Sequence, residues 1–158
     1  MKQVILFLLV AGLACFAQTP APNPVTNDDI SGMYSFLQEG EFVQINVEEG
    51  ARVTGFVSRY GDSDADKGAF LDQMFTEGDL KGNHIHFKTR VVHGVSYEFN
   101  GTVARGEGKT PSDEGYRVLR GKLTEISEDA NKKTSARSRD VTLKSFPQDA
   151  MADRPPKD

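Results

Sequence analysis

Tryptophan is absent from this chain, and cysteine occurs once, at Cys15. Because that cysteine lies in an apolar N-terminal stretch, the chain beyond it has no thiol nucleophile and cannot form an internal disulfide. The longest uncharged apolar run, Val4–Phe16, is thirteen residues long, whereas a membrane-spanning helix needs roughly 18. The sequence therefore predicts a domain that does not span a membrane and whose stability comes from packing.

The N-terminus has the pattern of a cleavable export signal. Lys2 precedes the apolar run, and a small-x-small cleavage pattern ends at Ala17. Residues 1–17 are thus predicted to be a signal peptide that delivers the protein to the periplasm or the extracellular space. The alternative is a lipoprotein acylated at Cys15. That signal requires a branched apolar residue three places before the cysteine and a small residue two places before it. Here those places hold Gly12 and Leu13, so the motif is out of phase. The pattern favours release over anchoring.

The rest of the chain divides into three parts. Residues 18–27 carry three prolines and are predicted to be a flexible leader, and residues 148–158 a disordered tail. Between them, residues 28–147 have the length of a single domain with one core. The formal net charge of −4 and the lack of a basic stripe argue against nucleic acid as a partner.

Apolar and polar residues alternate through most of the domain, as in half-buried β-strands. The clearest example, residues 84–103, predicts a hairpin whose three-residue loop ends at Gly94 in a left-handed conformation. This register places Phe87 opposite Phe99 and Lys88 opposite Glu98. Residues 41–60 predict a second hairpin with the loop 48–50 and Phe42 opposite Phe56.

Further strands are predicted at residues 32–38, 74–80, 116–126 and 139–146. The segment 64–75 is left open, because its apolar residues also fit one short helix. The fold class is therefore all-β, an antiparallel up-and-down meander of seven to eight strands.

Glycine recurs on the apolar side of four predicted strands, at Gly32, Gly55, Gly101 and Gly121. Glycine weakens a flat strand but permits the sharp bend of a closing sheet. The recurrence favours a closed or strongly coiled barrel. The alternative is coincidence, because the chain contains 15 glycines.

Gly32-Met33-Tyr34 resembles the Gly-x-Trp opening of lipocalin and avidin-type (calycin) barrels, with tyrosine in place of tryptophan. The chain is also similar to uncharacterised short exported bacterial proteins. The calycin resemblance implies binding of a small, often apolar, molecule inside a barrel. The residues predicted to line such an interior are Tyr34, Gly55, Phe87, Tyr97, Phe99, Gly101 and Gly121.

Two segments carry possible metal ligands. Asp62, Asp64 and Asp66 alternate in a loop as in the first half of a calcium loop, although the rest of that motif is missing. The alternative is a solvated acidic turn. His84 and His86 share one strand face, with His93 in the nearby loop, but their face also carries cations and is predicted to be solvent-exposed.

Phe42, Phe56 and Tyr60 fall on the side opposite the core valines. We expect residues 62–73 to fold over them; otherwise they form an exposed interaction face. Together these patterns predict a non-catalytic exported protein that binds a small apolar molecule and needs no cofactor, with low-affinity calcium the one possibility. The alternative is a protein-interaction or structural module that uses the aromatic face, and a metal-dependent enzyme ranks third.

Overall fold

The computed structural model describes residues 30–129 and 131–147. The predicted signal peptide, the leader and the tail from residue 148 lie outside these residues. The described chain forms eight strands, β1 (Gly32–Ser35), β2 (Phe42–Val47), β3 (Val53–Tyr60), β4 (Phe70–Lys81), β5 (His84–Thr89), β6 (Val95–Arg105), β7 (Arg117–Glu128) and β8 (Thr134–Lys144). None of its helices has the length and apolar character needed to cross a bilayer.

The eight strands form one antiparallel meander in which each strand pairs with its neighbours in sequence. The sheet curls until its first and last strands meet at one end. There Tyr34 pairs with Ser145, and the Phe146 amide donates to the Met33 carbonyl at 2.8 Å. The predicted all-β, up-and-down, strongly coiled barrel is confirmed.

The β5–β6 hairpin has the predicted register over most of its length. Phe87 lies opposite Phe99, and Lys88 lies opposite Glu98. The predicted three-residue loop is wrong, because Val92 and Val95 bond each other across a two-residue turn. His93 and Gly94 both have positive φ, 51° and 75°, as tight hairpin turns require.

The predicted loop of the β2–β3 hairpin, residues 48–50, is also wrong. Val47 pairs with Val53, and Phe42 lies opposite Ser58 instead of Phe56. The longer turn is held by the Glu48 carboxylate, which accepts hydrogen bonds from the Arg52 guanidinium and, at 2.9 Å, from the Thr54 hydroxyl. Because the register moves by two residues, every side chain keeps its predicted face.

A short helix near 64–75 does not form. Residues 61–69 make a series of turns, and Phe70–Lys81 is a strand of 12 residues. This strand pairs with both β3 and β5, and the pairing supplies hydrogen bonds to its backbone. Tertiary pairing therefore outweighs the helix-like spacing of the apolar residues in this segment.

The barrel interior holds one apolar cluster. Val43, Ile45, Ile85, Phe99 and Leu123 are among its members, and each is fully buried. Burying a side chain of this size contributes roughly 1.5–3 kcal/mol to the free energy of unfolding. The cluster can therefore stabilise the domain without disulfides.

Candidate functional site

Four connections gather at one end of the barrel, which we call the loop end. They are residues 36–41, 61–69, 90–94 and the turn between β7 and β8. An up-and-down meander alternates its connections between two ends, so these four share one end.

Buried polar groups are concentrated at the loop end. In the described residues, six polar or charged residues are buried, and each lies on or beside a strand segment that adjoins one of these connections. They are Glu41, Ser58, Arg59, Gln73, Thr89 and Ser96. Buried polar groups are costly unless they are bonded. Ser58 and Ser96 lie on the outward side of their strands. Glu41, Arg59, Gln73 and Thr89 follow the inward alternation, and they distinguish this end from the rest of the interior.

The inner wall of the loop end centres on Tyr97. Its ring packs edge-on against Phe36 with centroids 5.1 Å apart. Burial raises the pKa of the Tyr97 hydroxyl to about 12, while the nearby Arg59 charge opposes the increase and Glu125 adds to it. Glu125 lies opposite Tyr97 on β7 and accepts a hydrogen bond from Arg139 at 3.2 Å. Arg59 therefore lies near the phenol together with three carboxylates, those of Glu125, Glu41 and Asp62, and Arg139 bonds Glu125.

A short polar chain supports Tyr97 from β4 and β5. The Thr89 hydroxyl accepts a hydrogen bond from the Tyr97 amide at 2.9 Å and donates to the Gln73 side-chain oxygen at 3.3 Å. Gln73 is completely buried, although Leu71 and Phe75, its neighbours on the same side of β4, are apolar. These bonds satisfy the polar groups and fix the position of the Tyr97 backbone.

Two side-chain contacts hold residues 61–69 in place. Asp66 contacts the His93 ring at 2.5 Å and links residues 61–69 to the β5–β6 turn. Hydrogen bonds from Ser63 first, and then from His93, hold the pKa of the Asp66 carboxyl below its usual value. Asp62 instead pairs with Arg59 at 2.7 Å.

Most of the predicted ligand-lining residues lie in the packed middle of the barrel. Phe87 stacks on Phe75 and Phe99, with ring centroids 4.4 and 5.2 Å apart, and it is fully buried. Gly101 and Gly121 face each other across β6 and β7. The structure therefore brings these residues together as core, and Tyr97 alone of the predicted set lies at the loop end.

Gly55, Gly101 and Gly121 are points of close approach and leave no open space, whereas a Cβ at Gly32 would meet no atom within 4 Å. A Cβ at Gly121 would lie 2.3 Å from the Asn100 carbonyl oxygen, and a Cβ at Gly55 would lie about as close to the Gln44 carbonyl oxygen. Tyr34, the remaining predicted residue, is buried at the seam and donates a hydrogen bond to the Ile30 carbonyl at 2.7 Å.

A cleft of about 230 Å³ lies at the seam, away from the loop end. Met33, Arg117 and Phe146 contribute to its lining, together with Tyr116, whose ring is covered by the Arg105 guanidinium at 3.4 Å. Ser31, Gln44 and Ser145 also line the cleft, so its walls are both apolar and polar.

The predicted metal ligands do not converge. Asp62 and Asp66 have the separate partners given above, and His86 lies between Asp79 and Glu98 on the outer face, 3.4 and 3.5 Å from their carboxylates. Within residues 30–129 and 131–147, no group of three or more His, Cys, Asp or Glu side chains is placed to hold a metal ion.

The outer aromatic face is larger than the sequence predicts. Phe42 packs edge-on against Phe56 at 5.8 Å, and Tyr60 stacks on Phe70 at 4.6 Å. Of the segment 62–73 that was expected to cover this face, Phe70 stacks on Tyr60, while β4 runs beside β3 and extends the sheet. Phe70 and Met74 are 51% and 44% exposed.

Sequence reasoning missed Arg59, Gln73, Glu125 and Arg139 as interior residues. The signal was present in the alternation: Val53, Val57 and Arg59 share one side of β3, as Leu119, Leu123 and Glu125 share one side of β7. Charged residues are usually exposed, so alternation alone does not predict that charged side chains point inward at the strand ends.

The fold is that of an avidin-like, calycin-type barrel. Rhizavidin in complex with biotin matches with a TM-score of 0.55 and 12% identity over 82% of this chain and 99% of that chain. Intact afifavidin in its apo form matches with a TM-score of 0.54 and 14% identity over 81% and 88% of the two chains. At such identities the likeness shows the fold alone. No family model matches the sequence, and no curated protein matches it.

Proposed function

We propose that this protein binds a small, largely apolar molecule at the loop end of its barrel and does not transform it. One observation carries the proposal: among the described residues, the inward side chains change from packed apolar to buried polar ones where the four connections gather. Binding sites combine apolar walls with a few well-placed polar groups, as Phe36, Tyr97 and Arg59 provide here. The biotin complexes of rhizavidin and short afifavidin support small-molecule binding by this fold.

The proposal is tested by purifying the protein from its own host and comparing native with denaturing mass spectra. We expect a small molecule that is released on denaturation. Ser127→Trp fills the inner side of β7 at the loop end and removes this extra mass. Thr124→Trp, on the outer face of the same strand, is the matched control and retains it. Equal loss in both variants, or no bound molecule in the wild type, contradicts the proposal.

Export is part of the same proposal. The pattern of residues 1–17 supports cleavage after Ala17 and action outside the cytoplasm. The intact mass of the protein from its host then corresponds to a chain that begins at Gln18. A mass that includes Met1, or a lipid attached to Cys15, contradicts it.

The outer aromatic face supports a second candidate function, docking of another protein. Phe70 and Met74 are exposed beside the half-buried Phe42, Phe56 and Tyr60, and contiguous apolar surface of this kind commonly marks an interface. Sedimentation of the wild type and of Phe70→Ser tests self-association. A monomer in both cases, with no change in stability, removes self-association as the role of this face.

A further inference from the structure

The last strand, β8, has one edge that stays open over most of its length. On one side it pairs with β7 from Thr134 to Lys144 without a break in register. On the other side it meets β1 only near its end, where the Lys144 amide donates to the Ser35 hydroxyl at 2.9 Å. Because β1 ends at Ser35, this pairing does not continue along the first part of β8.

The hydrogen bonds at the end of β8 show which backbone groups face the open edge. The Ser145 amide donates to the Arg117 carbonyl of β7, and the Phe146 amide donates the other way, to the Met33 carbonyl. Successive residues of a strand direct their backbone groups to opposite sides, so the even-numbered residues of β8 face away from β7. They include Ala136, Ser138, Asp140 and Thr142.

These four residues are exposed, and their amides are unused on that side. Among the described residues, none of the four amides bonds a loop or another strand there. At about 3.4 Å per residue, the open edge extends for roughly 20 Å from Ala136 to Thr142. An exposed edge of this length is a template on which an extended peptide can pair as an added strand.

The charge of the edge indicates what such a peptide carries. β7 and β8 together have six basic and three acidic side chains, a net charge of +3, whereas the whole chain has −4. Arg137 and Arg139 lie on one side of β8, two residues apart, and Asp140 on the other side is paired with Lys122 at 3.1 Å. Arg137 is exposed and has no ion pair with another described residue. Carboxylates on the added strand therefore meet a surplus of positive charge.

A second copy of this chain is a poor partner for the same edge. Antiparallel pairing of two β8 strands about Ser138 sets Arg137 of one copy opposite Arg139 of the other, and pairing about Asp140 sets two aspartates opposite each other. Like charges directly opposite on neighbouring strands are destabilising. We propose that the open edge of β8 binds an extended, acidic segment of another protein as an added strand. The edge lies outside the barrel interior, so this proposal and the proposed function can fail separately.

Amide NMR with three short synthetic peptides tests the inference on the wild-type protein. The first alternates glutamate with threonine, the second has glutamine in place of glutamate, and the third is the glutamate peptide with every backbone amide methylated. We expect the first peptide alone to give saturable shifts and slower hydrogen exchange at the amides of Ala136, Ser138, Asp140 and Thr142. The Val141 amide faces β7, so it exchanges slowly with and without peptide.

Calorimetry with the glutamate peptide supplies the variant test. Ser138→Pro removes an edge-facing donor but no bond to β7, as proline on an open edge allows, and we expect about tenfold weaker binding. Ser138→Ala keeps the amide and is the matched control, with unchanged affinity. Arg137→Gln weakens binding about threefold, because it removes one exposed charge. Circular dichroism checks that the variants fold, and the methylated peptide decides the question if Ser138→Pro does not.

Several outcomes overturn the inference. Slow exchange of the four amides in the free protein shows that the edge is already occupied. Equal binding of the glutamine peptide removes the acidic partner, and equal binding of the methylated peptide removes strand addition. Self-association that protects these amides assigns the edge to a second copy, and no binding of the glutamate peptide leaves the edge without this role.

Discussion

The middle and the loop end of this barrel are formed by the same strands, but their inward side chains differ in chemistry. In the middle, Phe87 stacks on both Phe75 and Phe99, and paired glycines let β6 and β7 approach closely. At the loop end, the same inward positions carry Arg59, Gln73 and Glu125. The difference shows that strand alternation determines which side chains face inward, while their chemistry divides the interior into a core and a candidate binding region.

Phe87→Ala tests the packed middle most severely. It removes a fully buried ring that stacks on two others, so we expect the free energy of unfolding to fall by about 3–5 kcal/mol. Urea unfolding followed by circular dichroism measures the loss. Met74→Ala, on the exposed outer face, is the control and costs less than about 1 kcal/mol. Similar losses in the two variants would show that Phe87 is not core.

Gly121→Ala tests close approach without removing any contact. The added methyl group meets the Asn100 carbonyl oxygen at 2.3 Å, so β6 and β7 must separate. We expect a loss of about 1–3 kcal/mol in urea unfolding. Asn100→Ala, at an exposed position on β6, changes stability by less than about 0.5 kcal/mol. An unchanged or increased stability of Gly121→Ala would mean that the strands have room to spare.

An alkaline titration compares a buried tyrosine at the seam with one at the loop end. Burial raises the pKa of both Tyr34, at the seam, and Tyr97, at the loop end, to about 12. The unfolded phenols ionise near pH 10, so ionisation favours unfolding as the pH rises from about 10 to 12. Phenolate absorbance should show late steps that Tyr34→Phe and Tyr97→Phe each remove singly. Ionisation of either phenol near pH 10 in the folded protein would contradict the assigned burial.

Gln73→Leu should produce the smallest change in stability. Its two hydrogen bonds are long, at 3.3 and 3.4 Å, and leucine has nearly the same volume. We expect less than about 1 kcal/mol in urea unfolding, because the Thr89 hydroxyl keeps its bond from the Tyr97 amide. A loss as large as that of Phe87→Ala would place Gln73 in the structural core and weaken the contrast between the two regions.

The sequence predicts the fold better than it predicts the candidate site. Strand alternation and the recurring glycines are local signals, and they were sufficient for the meander, its coiling and the pairing of Phe87 with Phe99. The loops at 48–52 and 93–94 depend on particular contacts, such as the Glu48 carboxylate with Arg52, which composition does not reveal.

The candidate site depends on relations between distant strands. Arg59, Tyr97 and Glu125 are brought together only when the sheet has curled, so no local motif marks them. Hydrophobicity predicts Phe87 and Phe99 as lining residues, and both fill the packed middle of the barrel. Of the predicted lining residues, Tyr97 shares the region with the buried polar groups because it lies near the start of β6.

The location of the bound molecule is the central claim, and amide NMR tests it most directly. The small molecule released from host-purified protein is added back to isotopically labelled protein, and shifts are mapped along the chain. The account predicts shifts at Gln73, Val95, Tyr97 and Glu125, with little change at Phe87 and Phe99. Shifts confined to the seam cleft around Met33 and Phe146, or centred on Phe87 and Phe99, would contradict it.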